Sequence, residues 1–203
     1  MGNASDLVEV ALGIDPGRTG AATALSMVRG DKGKGRVLDV LSWKESRRGG
    51  VRGYKVPGEW FRTISGLVDY MINAWVHEIE DDGPVVLSAV SVEGMALPDF
   101  HKRRKVGKPI SEKSLITLIE ETGAVVDAVN TEVSCPLYRP TATVWRGRVL
   151  RLGAYTRRSE AESYAIKSVP RLFNRGHGLH TIHEVESACM AMYTREALLT
   201  GNV

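Results

Sequence analysis

Asp15, Glu93 and Glu186 each stand near the end of a separate predicted element, where an acid serves chemistry better than packing. Residues 10–20 read Val-Ala-Leu-Gly-Ile-Asp-Pro-Gly-Arg-Thr-Gly, an apolar strand that ends on Asp15 and breaks at once into a turn. Pro16, Gly17 and Gly20 force the chain away and leave the carboxylate at the open end of a sheet. The run Val-Val-Leu-Ser-Ala-Val-Ser-Val-Glu-Gly puts Glu93 at the end of a second strand in the same way. Glu186 lies near the start of the last predicted helix, and His183, one turn earlier, shares its face. Hard divalent cations prefer carboxylate oxygens, so these four residues form a candidate metal site.

The elements that must bring them together follow from periodicity. Residues 8–14, 21–28 and 36–43 read as three strands joined by short turns, which suits an antiparallel meander. Residues 46–58, rich in glycine and arginine, read as a loop. Phe61, Ile64, Leu67, Val68, Met71, Trp75 and Ile79 recur at helical spacing, so a helix is expected over residues 59–79, stopped by Gly83-Pro84. A strand over residues 85–93 comes next. A helix between two strands implies a crossover, so this strand runs parallel to the first and brings Glu93 to the same sheet edge as Asp15. A basic loop over residues 94–110 leads to a helix over residues 111–128, capped by Ser111, and then to a short strand over residues 132–138. Helices are expected over residues 141–152 and 159–169, the second stopped by Pro170, and over residues 182–199. Thr181-Ile182-His183-Glu184 fits a capping box, which gives Glu184 a structural task. The expected fold class is α/β, a mixed five-stranded sheet flanked by helices, with three antiparallel and two parallel strands. A single domain over residues 1–203 is expected.

Composition narrows the partner. The chain is 43% hydrophobic and 25% charged, which fits a globular protein and not a disordered one. Its net charge is only +3, but residues 44–55, 101–113 and 146–158 are strongly basic and residues 78–82 are acidic. Basic patches on a near-neutral chain suit a polyanion bound on one face. Cys135 and Cys189 lack metal-ligand spacing and read as free thiols of a reducing compartment. The first residues carry no basic segment or apolar stretch of a leader, and no apolar run approaches the ~20 residues that span a bilayer. Trp60, Phe61 and Trp75 read as core, whereas Trp145 suits either stacking on a base or helix packing.

Phosphodiester cleavage needs an activated water, a stabilised phosphorus centre and a leaving-group partner, and two divalent ions supply all three. Asp15 is placed to bridge such ions, Glu93 to hold one, and Glu186 with His183 to hold the other or orient the nucleophile. The Gly-Ile-Asp-Pro-Gly start, the strand ending Ser-Val-Glu, the late His-Glu-Val-Glu-Ser-Ala segment and the order of elements resemble the RuvC family of Holliday junction resolvases, within the RNase H-like superfamily. The likeness covers residues 8–199 and is strongest to compact phage members.

That resemblance implies a cytoplasmic, nucleoid-associated homodimer that makes paired nicks in four-way DNA junctions with Mg²⁺ or Mn²⁺, two ions per site. Asp15 and Glu93 match the first two family acids. Glu186 matches the last, where aspartate is usual, and His183 stands where members carry aspartate or histidine. The family places an aromatic wedge after the second acid, and here Phe100 or Met95 fills that part. Lys102, Arg103, Arg104, Lys105 and Lys108 would meet phosphates, as would Arg47, Arg48, Arg52 and Arg146. The alternatives are a YqgF-like RNase H-fold RNA nuclease and a junction-binding protein that has lost cleavage. A sugar-kinase-like ATPase needs a duplicated domain that this length cannot hold.

Overall fold

In the computed structural model, residues 8–28, 35–78, 85–94, 112–153, 158–173 and 179–201 are described. Among these residues seven strands, numbered in chain order, form one mixed sheet in the order β5-β4-β3-β2-β1-β6-β7. Strands β1 (Val8–Asp15), β2 (Thr19–Ser26) and β3 (Val37–Arg48) form the expected antiparallel meander. After helix α1 (Ile64–Glu78) the chain returns as β6 (Val85–Val92), parallel to β1. Helix α2 (Glu112–Glu132) leads to β7 (Leu137–Tyr138), parallel to β6. Helices α3 (Ala142–Leu150) and α4 (Arg158–Ser168), a 3₁₀ turn (Val169–Leu172) and helix α5 (Ile182–Thr200) complete the order.

The sheet has seven strands rather than the expected five. One of the extra two lies within residues 46–58, which are not a loop, and the other is at residues 60–61, inside the expected first helix. Strand β3 runs on to Arg48, turns through Gly49-Gly50 and returns as β4 (Val51–Lys55). Both turn glycines have positive φ, +58° and +81°, which the two-residue hairpin turn requires. Trp60–Phe61 then pairs with Tyr54 and Lys55 as β5, so α1 begins at Ile64 and not at residue 59. Helix α2 continues to Glu132, which shortens the fifth expected strand to two residues.

Each face of the sheet carries its own core. On one, Leu12, Ile14 and Val90 pack against Leu67, Val68 and Met71 of α1 and Val125 and Val129 of α2. On the other, Val185, Ala188 and Cys189 of α5 join Trp145 and Leu150 of α3 and Ala165 of α4. Cys135 and Cys189 are free thiols, and burial pushes the Cys189 thiol far above its ordinary range. No helix among the described residues is long and apolar enough to cross a membrane.

Helix α5 sits on β1 at backbone distance. Gly13 faces the Ser187 carbonyl and the Ala191 amide so closely that a Cβ would overlap them. Thr23 and Ser91 are the register partners of Gly13 on the two neighbouring strands. Thr23 Oγ1 lies 2.7 Å from Ser187 Oγ, and Ser91 Oγ donates to the Met190 carbonyl at 3.0 Å. Small residues in one row across three strands thus lock the helix in place.

A methyl group at Gly13 must push α5 off the sheet. Gly13→Ala is expected to destabilise by about 1–3 kcal/mol or more, as overpacked cores do. Gly123 of α2 faces open space, so Gly123→Ala is expected to stabilise by about 0.5–1 kcal/mol through its helix preference. Urea denaturation of the two variants checks the opposite signs.

Candidate active site

The last residue of β1 is Asp15. Its register partner on β2 is Ala21, and the adjoining pair, Ile14 and Ala22, faces the opposite core. Asp15 therefore points toward α5. The Glu93 amide donates to the Ile14 carbonyl at 3.1 Å, which extends the parallel ladder by one step and sets Glu93 beside Asp15.

The start of α5 is fixed by the expected capping box. Thr181 Oγ1 accepts from the Glu184 amide at 3.2 Å, and Glu184 Oε2 accepts from the amides of Thr181 and His180, both at 2.8 Å. Burial pushes the Glu184 carboxyl up, but these backbone bonds, with help from the Ser42 and Thr181 side chains, outweigh it and hold the group below its ordinary value. With its first turn anchored, α5 projects His183 and Glu186 toward Asp15. His183 Nδ1 lies 2.6 Å from Asp15 Oδ2. Ligand atoms of Asp15, His183 and Glu186 all lie within 4.8 Å of one another, with both carboxylates buried. Two hard carboxylates and an imidazole at that spacing suit a divalent ion such as Mg²⁺ or Mn²⁺.

Glu93 is not in that trio. Its Oε1 accepts from the Trp145 indole Nε1 at 3.2 Å. Burial pushes the Glu93 carboxyl up to about 7, with further upward pressure from Asp15 and Glu186; the Trp145 bond and Arg146 oppose it. Neighbouring Arg146 donates from Nη2 to Glu186 Oε1 at 2.5 Å, and its guanidinium lies 5.0 Å from the Trp145 ring centroid. Gly94 makes this clamp possible. Its amide donates to the Pro140 carbonyl at 2.8 Å, and a Cβ there would overlap the Arg139 carbonyl. That close approach delivers the start of α3 to the acids.

Sequence reasoning gave Trp145 two possible tasks, and the structure gives it packing plus a bond to Glu93, since it is wholly buried. Arg146, expected at DNA, faces Glu186 instead of open solvent. The signal was there to read: converging acids need a cation, and residues 146–158 hold five arginines and no acid. Arg47 and Arg48 are exposed beside the hairpin turn. Arg52 is tied to Glu45 Oε1 at 2.8 Å and to Glu121 Oε1 at 2.5 Å, which joins β4 to α2. Phe100, Lys102, Arg103, Arg104, Lys105 and Lys108 lie outside the described residues.

Two outcomes follow for metal-free protein. Arg146→Ala leaves Glu186 buried among acids and is expected to cost about 3 kcal/mol; saturating Mg²⁺ or Mn²⁺ should shrink that loss, as thermal melts will report. Glu93 titrates near 4.5 in the unfolded chain and near 7 in the folded one. The folded chain therefore keeps a proton that the unfolded chain releases in that window. Its contribution to stability is full below pH 4.5 and lost as pH rises to about 7. Urea midpoints should show that downward slope, Glu93→Gln should flatten it, and Trp145→Phe should carry it to higher pH.

No protein-family model matches the chain, and no curated protein matches it. Among solved structures, the chain is similar to Thermus thermophilus RuvC, with 16% identity, 96% of each chain covered and a TM-score of 0.56. It is equally similar to T. thermophilus RuvC in complex with Holliday junction substrate, with 15% identity, 96% of each chain covered and a TM-score of 0.55. The chain therefore has the mixed α/β fold of RuvC.

Proposed function

We propose that this chain is a metal-dependent, structure-selective DNA endonuclease that resolves four-way junctions by paired nicks, acting as a homodimer. The observation that carries this reading is the trio Asp15, His183 and Glu186, gathered within 4.8 Å at the end of β1 in a RuvC fold. A neighbour of that fold holds Holliday junction substrate, which supports branched DNA as the ligand.

Asp15, Glu93 and Glu186, with His183, would hold two Mg²⁺ or Mn²⁺ ions. Bound there, such ions activate a water and stabilise the charge that builds on the phosphorus centre. The Asp15 carboxylate orients the His183 ring through Nδ1, so the imidazole can pass a proton without losing its place. Arg146 neutralises Glu186 and adds a cation at the edge where a phosphate would enter. Exposed Arg47 and Arg48, with the basic run from Lys102 to Lys108, would meet the phosphates of the arms, and Phe100 would wedge the junction. Symmetric cutting of a two-fold junction needs two related sites, hence two copies.

The test is cleavage of a mobile four-way DNA junction in Mg²⁺, beside linear duplex and an RNA hairpin. Paired nicks in the junction are expected, and Asp15→Asn should abolish them while junction binding persists. Binding without nicking in Mg²⁺ or Mn²⁺ identifies a cleavage-deficient junction binder. Cutting of the RNA alone identifies a YqgF-like nuclease.

A further inference from the structure

Lys44 and Lys55 stand directly opposite each other on β3 and β4. Like charges at opposed positions of an antiparallel pair repel, because their Cβ atoms are only about 4.5–5.5 Å apart. Neither lysine has a carboxylate partner among the described residues. Glu45 points to the other face, toward Arg18 and Arg52. A fold gains nothing from this pair by itself.

The pair borders a cavity of about 370 Å³ that also reaches Thr19, Ser42, Thr181 and His183. It lies on the same face as Asp15: the register runs from Asp15 to Ala21 to Ser42, and Lys44 is the next residue on that face of β3. Trp43, Tyr54 and Val56 alternate with Lys44 and Lys55 and are buried in the core around Ile14 on the other face of the sheet. The Trp43 indole donates to the Gly17 carbonyl at 3.0 Å and its ring edge presses on Gly20, which fixes the backbone under the cavity. The cavity is otherwise lined by Thr19, Ser42 and Thr181, which bear hydroxyls, and by Pro57. Two cations on the rim, three hydroxyl-bearing residues and a shared border with His183 fit one kind of ligand: a phosphate that carries a sugar.

We propose that this cavity is a nucleotide subsite, which takes the nucleotide adjoining the phosphate to be cut and holds its phosphodiester between Lys44 and Lys55. The role as part of a cutting site rests on the endonuclease reading; binding of the nucleotide does not. The opposed lysines relieve their repulsion by sharing the phosphate.

The probe is 5′-phosphorylated tetrathymidylate, added to ¹⁵N-labelled full-length protein. Saturable shifts are expected at the Lys44 and Lys55 amides. The double variant Lys44→Gln, Lys55→Gln should lose them, and its slope of log affinity against log salt should drop by about 0.7 for each phosphate that is no longer neutralised. The same variant should melt no lower than wild type, since it removes a repulsion; lysines with a structural task would lower the melt. Unmoved Lys44 and Lys55 signals, or equal binding by the variant, overturns the subsite. Should the oligonucleotide bind here while junctions are neither bound nor cut, the endonuclease reading falls and the subsite stands. Should junctions be cut with this cavity silent, the subsite alone falls.

Discussion

The contact of α5 with the sheet at Gly13 is the constraint on which the site depends. Helices ordinarily rest on side chains, and the thickness of those side chains sets the spacing. Here the spacer is missing, and two hydroxyls, from Thr23 and Ser91, fix the helix on either side of the gap. His183 and Glu186 are on the first turns of that helix, and Asp15 is two residues beyond Gly13 on β1. A shift of α5 along or away from the strand would move two ligands relative to the third.

Crowding three acids costs free energy that the rest of the fold must offset. Helix α3 supplies the offset from consecutive residues: Trp145 gives Glu93 a hydrogen bond, and Arg146 gives Glu186 a charge. The indole is buried and the guanidinium lies across it, so each steadies the other. The opposite arrangement holds at Lys44 and Lys55, where cations are crowded without acids. A site that gathers negative charge at its centre and leaves positive charge at its rim suits a polyanion carried to a cation-dependent centre.

The meander of β1 to β3 and the positions of the candidate acids at element ends were legible because each depends on short-range signals. Asp15 before Pro-Gly, Glu93 at the end of an apolar run and the Thr181–Glu184 capping box are all local patterns. The crossover rule then placed Glu93 beside Asp15. What escaped reading depends on context. Gly49-Gly50 marks a hairpin, but the flanking Arg47, Arg48 and Arg52 obscured the strand alternation because they are on a projecting ribbon with solvent at its tip. Trp60 and Phe61 fit a helical period as well as a strand, and only pairing with Tyr54 and Lys55 decides between them. The clamp at Trp145 and Arg146 could not be placed from spacing, since α3 reaches the acids only through the close approach at Gly94.

The strand that carries Asp15 is an interior one. It is paired along both sides, antiparallel to β2 and parallel to β6. The outermost strands, β5 and β7, pair over two residues each, which leaves β6 before Val90 without an outer strand partner among the described residues. Open edges invite lateral growth of one sheet into another. Growth of that kind would add rungs beyond β6 and leave β1, already paired on both sides, out of reach of a neighbour's register.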